Sequence, residues 1–299
     1  MKQILEYGVG FFKERDFQYS GNVLLSLSGG RSSAAMLRLL LDQHGGNLPS
    51  NFKVIFNNTG REHEGTYAFV RRMQDEWNVD IAWLEFVDLV SDKEVTYKYV
   101  TFDSAARNGE PFYRLMPHKR SFPPRRANRL CTLYLKVLPR MQYAIDLGWT
   151  DYTHLLGYRS DEQHRLHNER MRCGKNKLPY VPDAPLIRAG IDKSAVLAFF
   201  RQYAFDLDIP DNCGNCTFCF LKDENKLRRV MQQMPGEIDW WIELDQRWGE
   251  GTDKKEGFNT QYTILPDGGY QGIKDRAERD LPLSSNSINL EDLECNCTD

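Results

Sequence analysis

Ser28-Gly29-Gly30-Arg31-Ser32-Ser33 follows the apolar run Val23-Leu24-Leu25 and precedes a strongly helical segment that extends from about residue 33 to residue 43. This order predicts a strand that ends in a glycine-rich turn, after which a helix begins. Glycine lets the backbone come close to an anion, and a helix N-terminus presents N–H groups with a favourable partial charge. The hydroxyl groups of Ser28 and Ser33 add donors at the same place. The stretch therefore predicts a binding site for a phosphate or a pyrophosphate group.

The stretch differs from two other phosphate-binding sequences. It lacks the spacing and the lysine of the Walker loop, and it is not the G-x-G-x-x-G of dinucleotide-binding folds. An ordinary surface turn is the alternative interpretation of two adjacent glycines. The stretch does resemble the PP-loop, S-G-G-x-x-S, of ATP pyrophosphatases and of the phosphoadenosine phosphosulfate (PAPS) reductase family, although many PP-loops carry Asp where this chain has Ser32.

Length and composition indicate a globular protein. The chain has 299 residues, of which 41% are hydrophobic and 12% aromatic, enough for a substantial core in one large domain or two small ones. A net charge of −3 gives no general attraction to nucleic acid or to an anionic membrane. Because there is no apolar run long enough to span a bilayer and no signal-peptide pattern at Met1–Gly10, we expect a cytoplasmic protein.

Strands and helices alternate along the first half of the chain. The predicted strands are residues 23–25, 53–57, 81–86 and 154–157, and further predicted helices are about 63–77 and 132–147. The last helix is expected to kink or restart at Pro139, which has no N–H to donate. This alternation predicts an α/β fold with a doubly wound, mainly parallel sheet, in which ligands bind at the carboxyl ends of the strands.

Polar residues follow two more of the predicted strands. Thr59-Gly60 follows the second strand, and Gly157-Tyr158-Arg159-Ser160-Asp161-Glu162 follows the fourth, so both segments are expected on one rim with Ser28–Ser33. The planar guanidinium of Arg159 suits a phosphate or a sulfate group. Asp161 or Glu162 would hold Mg²⁺ or orient Arg159. The alternatives are a helix cap at Thr59-Gly60 and a solvated charged loop at 157–162.

The order of these motifs resembles that of PAPS reductase-like proteins of the adenine nucleotide alpha-hydrolase fold, including phage and mobile-element relatives. The matching stretches, within about residues 21–248, are Ser28–Ser33, Val54–Gly60 with Glu62-His63-Glu64, Cys131-Thr132, Gly157–Glu162, Pro185-Leu186-Ile187 and Cys216-x-x-Cys219-Phe220-Leu221-Lys222. The resemblance implies a nucleotide-binding α/β domain at 1–200, a mostly helical cysteine-cluster segment at 201–250 and a C-terminal extension with a mobile tail at 251–299.

The same resemblance implies a site for an adenine nucleotide, either ATP or the sulfonucleotides PAPS and adenylyl sulfate. Its expected binding residues are Ser28, Gly29, Gly30, Arg31, Ser32, Ser33, Asn57, Thr59, Gly60, Gly157, Arg159, Asp161 and Glu162. Arg159 is also expected to act in catalysis as a clamp on the phosphate or sulfate.

Seven cysteines, an odd number, argue against a disulfide framework. Cys213, Cys216 and Cys219 have the spacing of zinc or iron–sulfur ligands. Cys131 is the expected fourth ligand, because it begins a predicted helix whose dipole favours the thiolate. The layout resembles cluster-bearing thiolases and adenylyl-sulfate reductases, without the adjacent Cys-Cys pair of the latter. A 4Fe-4S cluster is the first expectation, structural zinc the second and free thiols the third; for Cys173 we expect no role.

The C-terminal tail carries Glu294-Cys295 and, two residues later, Cys297. Glu294-Cys295 resembles the Glu-Cys-Gly motif of assimilatory PAPS reductases, whose mobile thiol is the nucleophile. We therefore expect Cys295 to attack the sulfonate sulfur, and Cys297 or a dithiol donor such as thioredoxin to resolve the S-sulfocysteine. The alternatives are incidental thiols or additional metal ligands.

A basic stretch at residues 118–129, rich in Arg and containing Pro123-Pro124, indicates contact with phosphate, either of a nucleic acid or of the nucleotide. Three functions follow from these patterns. The first is reduction of an activated sulfate. The second is ATP-dependent adenylation and thiolation of a nucleic acid. The third is nucleotide sensing without catalysis.

Overall fold

Six strands form one sheet in the order β4-β3-β2-β1-β5-β6. The computed structural model describes residues 17–119, 129–210, 213–250 and 263–279. The strands are β1 (Val23–Leu27), β2 (Phe52–Asn58), β3 (Ile81–Ser91), β4 (Glu94–Val100), β5 (Tyr152–Leu155) and β6 (Tyr180–Asp183). All pairs are parallel except β3 with β4. The predicted mainly parallel sheet is confirmed.

Helices cover both faces of the sheet and form the C-terminal part. They are α1 (Arg31–Gln43), α2 (Glu64–Glu76), α3 (Glu110–Leu115), α4 (Leu130–Thr132), α5 (Leu138–Asp146), α6 (Gln163–Asn176), α7 (Pro185–Ala189), α8 (Lys193–Gln202), α9 (Glu224–Gln233), α10 (Glu237–Glu250) and α11 (Gly269–Glu278). Short 3₁₀ turns lie at Met116–His118 and Ser160–Glu162, and a π-helical turn at Leu133–Val137 joins α4 to α5.

The two faces of the sheet bury different residues of the same strands. Leu25 and Phe56 pack in a core with residues of α1, α2 and α8, whereas Leu24 and Ile55 pack with residues of α5 and α6 on the opposite face. This alternation follows from the two-residue period of a strand and gives the doubly wound arrangement.

The helix around Pro139 follows the prediction, whereas the fourth predicted strand is shifted along the chain. The helix restarts at Leu138, as expected beside Pro139, and the wider π-helical turn before it accommodates the missing N–H. The predicted fourth strand is displaced by two residues, because β5 pairs Thr153 with Val23 and ends at Leu155, so Gly157 lies beyond the strand.

The order of strands places a topological switch at β1. From β1 the chain moves outward through β2 and β3, and it later returns to the other side of β1 as β5. The helices that follow β1 and β5 therefore lie on opposite faces of the sheet, and a topological switch of this kind is a typical place for a ligand.

The C-terminal part is mostly helical, as predicted, and has its own core. Buried Trp241 and Trp248 of α10 pack there with Tyr270 of α11 and with the cysteine-bearing segment, which we call the cysteine loop (Cys213–Lys222). In the described part of the chain, no helix is long and apolar enough to cross a membrane.

Candidate functional site

The loop after β1 is fixed by its own serines. The N–H of Ser28 donates to Ser33 Oγ over 3.1 Å, the N–H of Gly30 donates to Ser28 Oγ over 3.2 Å, and Ser33 Oγ donates to the carbonyl of Gly30 over 3.0 Å. Gly30 is the N-cap of α1 and supplies no side-chain cap, so the first N–H groups of this helix have no capping side chain. These backbone groups can receive an anion.

Two glycines allow close packing around this loop. Gly29 has φ +79°, and a Cβ there would lie 2.3 Å from Thr66 Cγ2. A Cβ on Gly157, after β5, would lie 2.7 Å from Cα and 2.8 Å from N of Ser33. Each position therefore excludes a side chain, and the loops after β1 and β5 are in backbone contact.

Arg159 connects the same two loops through its side chain. Its Nη1 donates to Ser32 Oγ over 3.2 Å, and its Nε and Nη2 donate to the carboxylate of Asp161 over 3.2 and 3.0 Å. The backbone N–H of Lys193 also donates to Asp161. Burial opposes the charge of Asp161, but these hydrogen bonds outweigh it and lower the pKa of this carboxyl. Asp161 thus orients Arg159, which was one of the two predicted roles.

Glu162 also holds Arg159 in place. Its carboxylate accepts from the backbone N–H of Arg159 over 3.1 Å and from Nη1 of Arg165 over 2.6 Å. Among the described residues, no three or more His, Cys, Asp or Glu side chains are grouped to hold a metal ion. In this structure both Asp161 and Glu162 are engaged with arginine side chains.

The end of β2 adds an unsatisfied acceptor. Asn57 is buried, and its Oδ1 has no hydrogen-bond partner within the described ranges. Thr59 and Gly60 are held in place: Glu62 accepts from the N–H of Thr59 over 3.0 Å and from its hydroxyl over 2.7 Å, and Asn58 accepts from the N–H of Gly60. A buried amide oxygen without a protein partner can accept a hydrogen bond from a water molecule or from a ligand.

Arg31 lies in the glycine-rich stretch but its side chain is engaged elsewhere. The guanidinium makes two bonds to the carboxylate of Asp206 and donates to the carbonyl of Leu207 over 2.9 Å. Arg31 therefore ties the segment before the cysteine loop to α1, and its contribution to anion binding comes from the backbone.

The cysteine loop contacts the rim formed by the loops after β1 and β2. The N–H of His63 donates to the carbonyl of Asn215 over 2.7 Å, and the N–H of Thr217 donates to the carbonyl of Arg61 over 3.3 Å. Nδ2 of Asn215 donates to the carbonyl of Ser28 over 2.9 Å. Sequence reasoning did not predict these contacts, because Asn215 carries no recognisable signal apart from its place between two cysteines.

Three of the four predicted metal ligands share one small cavity. Cys131, Cys216 and Cys219 line it together with Thr59 and Lys136. The buried phenol of Tyr270 donates to the carbonyl of Phe218 in the cysteine loop over 2.5 Å, and burial raises its pKa well above the ordinary value. Sulfur donors match an iron–sulfur cluster or zinc in chemical type, but the cysteines of the described residues are not grouped as a preformed metal site.

Cys213, the remaining predicted ligand, belongs to the same buried core as the other three cysteines, and its thiol also contacts the end of α9. Cys213 Sγ lies 3.6 Å from Oε1 of Gln233 and 3.6 Å from Sδ of Met234, near the end of α9. The structure therefore brings Cys131, Cys216 and Cys219 together on the cavity, and it places the thiol of Cys213 against α9.

Lys222 organises the cysteine loop from within. It is almost completely buried, and its ammonium donates to the carbonyls of Cys213, Cys216 and Thr217. These three bonds hold the backbone of the loop around the ammonium group of Lys222. Lys222 was noted in the sequence only as part of a matching stretch, because a lysine three residues after a cysteine does not by itself indicate burial.

Several predicted positions have no part in this geometry. Cys173, for which no role was expected, lies in α6 beside Glu169, and burial raises the pKa of its thiol. Cys295 and Cys297, and residues 120–128 of the basic stretch, lie outside the described residues.

The profile of the phosphoadenosine phosphosulfate reductase domain matches residues 22–188, which is more than half of the chain. The chain belongs to this family. Its match spans the rim built from the loops after β1, β2 and β5. The family resemblance predicted from the motifs is thereby confirmed, and the family indicates an enzyme of the PP-loop type that binds a nucleotide and takes part in sulfur chemistry.

The chain is also similar to two individual proteins. The uncharacterized nin region protein ORF290 of Escherichia phage lambda is 31% identical over 227 residues, which covers 71% of this chain and 73% of the relative. Among solved structures, the chain is similar to the U34-tRNA thiolase NcsA from Methanococcus maripaludis with its 4Fe-4S cluster. The identity is 15%, the TM-score is 0.39, and the match covers 99% of this chain and 86% of that chain.

Proposed function

We propose that the chain binds an adenine nucleotide at the rim and carries out sulfur chemistry on it. The phosphate groups are received by the N–H groups at the start of α1, between Gly29 and Ser33. Arg159 adds positive charge beside Ser32, at 3.2 Å from its hydroxyl. Helix N-termini and arginine together are typical binders of phosphate.

The nucleoside end lies toward β2 in this proposal. The Oδ1 of Asn57 is buried without a partner and needs a donor. The exocyclic amine of adenine is such a donor, whereas guanine presents a carbonyl at the corresponding position of its ring. The proposal therefore assigns Asn57 to the recognition of the base.

The position of Thr59, between the rim and the cysteine cavity, is the observation that supports the proposed sulfur chemistry. This residue belongs to the nucleotide rim and also lines the cavity of Cys131, Cys216 and Cys219. In this proposal the cavity of the thiols therefore meets the nucleotide site at Thr59. We propose that these three thiols hold an iron–sulfur cluster, which when bound supplies electrons or binds a sulfur atom.

The reaction that we put first is reduction of a sulfonucleotide. The thiolate of Cys295 attacks the sulfonate sulfur, the sulfur–oxygen bond to the nucleotide phosphate breaks, and the phosphate leaves with the electron pair. A second thiol, from Cys297 or a dithiol protein of the thioredoxin class, then attacks the sulfur of Cys295 and releases sulfite. The resulting disulfide is reduced by the external dithiol, which closes the cycle.

A second candidate is adenylation of a nucleic-acid group followed by thiolation. An acceptor oxygen attacks the α-phosphorus of ATP and releases pyrophosphate, and a sulfur nucleophile from a sulfide or persulfide donor then displaces AMP. The contact between the cysteine loop and the phosphate-binding loop favours this candidate, because it places thiols close to an activated acceptor without using the tail.

The two candidates are separated by one pair of assays on the full chain, purified without oxygen. Sulfonucleotide reduction predicts release of sulfite from PAPS or adenylyl sulfate in the presence of a dithiol, with loss of at least about a hundredfold in Cys295→Ser and little change in the matched Cys173→Ser. Adenylation predicts ATP–pyrophosphate exchange that is unaffected by Cys295→Ser. The sulfonucleotide proposal is refuted if the wild type binds the sulfonucleotide but releases no sulfite.

A further inference from the structure

Asn215 joins the cysteine loop to the phosphate-binding loop. It lies between Cys213 and Cys216, and its Nδ2 donates to the carbonyl of Ser28 over 2.9 Å. The same side chain closely approaches the second glycine of the phosphate-binding loop, since a Cβ on Gly30 would lie 3.3 Å from Nδ2 of Asn215. One amide therefore approaches the glycine-rich loop at both Ser28 and Gly30.

Hydrogen bonds hold the cysteine loop and Asn215 together. The carbonyls of Cys213, Cys216 and Thr217 all accept from the buried ammonium of Lys222. The backbone of Asn215 is also fixed, because its carbonyl accepts from the N–H of His63 over 2.7 Å. Asn215 thus links the carbonyl of Ser28 to the segment that carries Cys216, the next residue in the chain.

We propose that Asn215 is a positioning residue that couples nucleotide binding to the order of the cysteine loop. This inference rests on the proposed nucleotide site and extends it to the regulation of the thiols. An anion bound at the start of α1 fixes the loop at Ser28–Gly30. The fixed Ser28 carbonyl then holds Asn215, and the thiols of Cys216 and Cys219 are ordered on the cavity. Coupling between two sites is reciprocal, so an ordered cysteine loop also favours the nucleotide.

The test measures amide hydrogen exchange of peptides covering residues 213–222 in the full chain, with and without saturating ATP. Exchange reports the opening of a local segment and does not depend on whether the thiols hold a metal. In the wild type, ATP slows exchange of this segment by about fivefold or more, which is the lower range of typical coupling between sites. In Asn215→Ala, ATP still binds but slows exchange by less than about twofold.

The chain offers a matched control at Asn176. Its Nδ2 also donates to a backbone carbonyl over 2.9 Å, that of Arg172 in α6, away from the cysteine loop. Asn176→Ala therefore removes the same kind of bond and leaves the ATP effect on residues 213–222 as in the wild type. A purely structural role of Asn215 would raise exchange equally with and without ATP, and that result overturns the inference.

Calorimetric titration with ATP separates the two levels of the proposal. If ATP binds to the wild type but exchange of residues 213–222 is unchanged, the coupling is refuted and the nucleotide site stands. If ATP does not bind at all, the proposed function itself fails. If Asn215→Ala retains the full ATP effect, another contact carries the coupling and the assignment to Asn215 is wrong.

Discussion

Substitution of Gly157 by alanine disturbs the contact between the loops after β1 and β5. The added Cβ would lie 2.7 Å from Ser33 Cα and 2.8 Å from Ser33 N, both of them backbone atoms at the start of α1. Ordinary contact begins at 3.4 Å, so the two backbones must separate by about 0.7 Å. Overpacking of this kind costs about 1–3 kcal/mol. We expect Gly157→Ala to lose this amount of unfolding free energy.

The same displacement acts on the anion site, because the N–H of Ser33 belongs to the first turn of α1. We expect at least about a tenfold loss of affinity for ATP, which corresponds to about 1.4 kcal/mol. Urea unfolding and calorimetric titration measure the two effects on the same samples. Gly174→Ala is the matched control: it lies inside α6 with no neighbouring atom within 4 Å of its Cβ position, and alanine there is neutral or stabilising. Unfolding free energy within about 0.5 kcal/mol of the wild type and unchanged affinity in Gly157→Ala would refute the close packing of the two loops.

Three other predictions concern separate parts of the molecule. Burial, and then the nearby charge of Arg140, lowers the pKa of His154 well below 6.5; the unfolded chain therefore takes up a proton that the folded chain does not. As a result, stability falls by about 1 kcal/mol between pH 6.5 and about pH 5.5, and urea unfolding of His154→Gln lacks this component. Asn57→Leu removes the unpaired acceptor and abolishes any preference for ATP over GTP in calorimetry; a preserved preference contradicts the assignment. Iron and sulfide content of anaerobically purified protein falls by more than about tenfold when serine replaces Cys131, Cys216 or Cys219, the thiols of the cavity, but stays within about twofold in Cys173→Ser, whose thiol lies in α6.

The sheet and its rim could be predicted from the sequence because their signals are local. Buried strands of apolar residues alternate with amphipathic helices, and a glycine-rich turn follows β1. The hairpin of β3 and β4 was not predicted, although Val95, Tyr97 and Tyr99 alternate as a strand requires. The alternation of a half-exposed edge strand is weak, because only Val95 of these three is buried.

The contacts that unite the site could not be predicted, because they join residues far apart in the chain. Asn215 lies 187 residues after Ser28, and nothing in the local sequence indicates that its amide reaches that carbonyl. The partners of Arg159 illustrate the same limit: Asp161 is two residues away and was predicted to orient it, whereas Ser32 is 127 residues away. Cysteine spacing alone treated Cys213 like Cys216 and Cys219, and only the packing of α9 distinguishes its surroundings.

A structure of the full chain with bound ATP tests the account most directly. The account predicts phosphate oxygens within hydrogen-bond distance of the backbone N–H groups of residues 31–33, and the adenine amine next to Oδ1 of Asn57. A nucleotide bound at another place would contradict the account. So would a structure in which no phosphate oxygen contacts the N–H groups of residues 31–33.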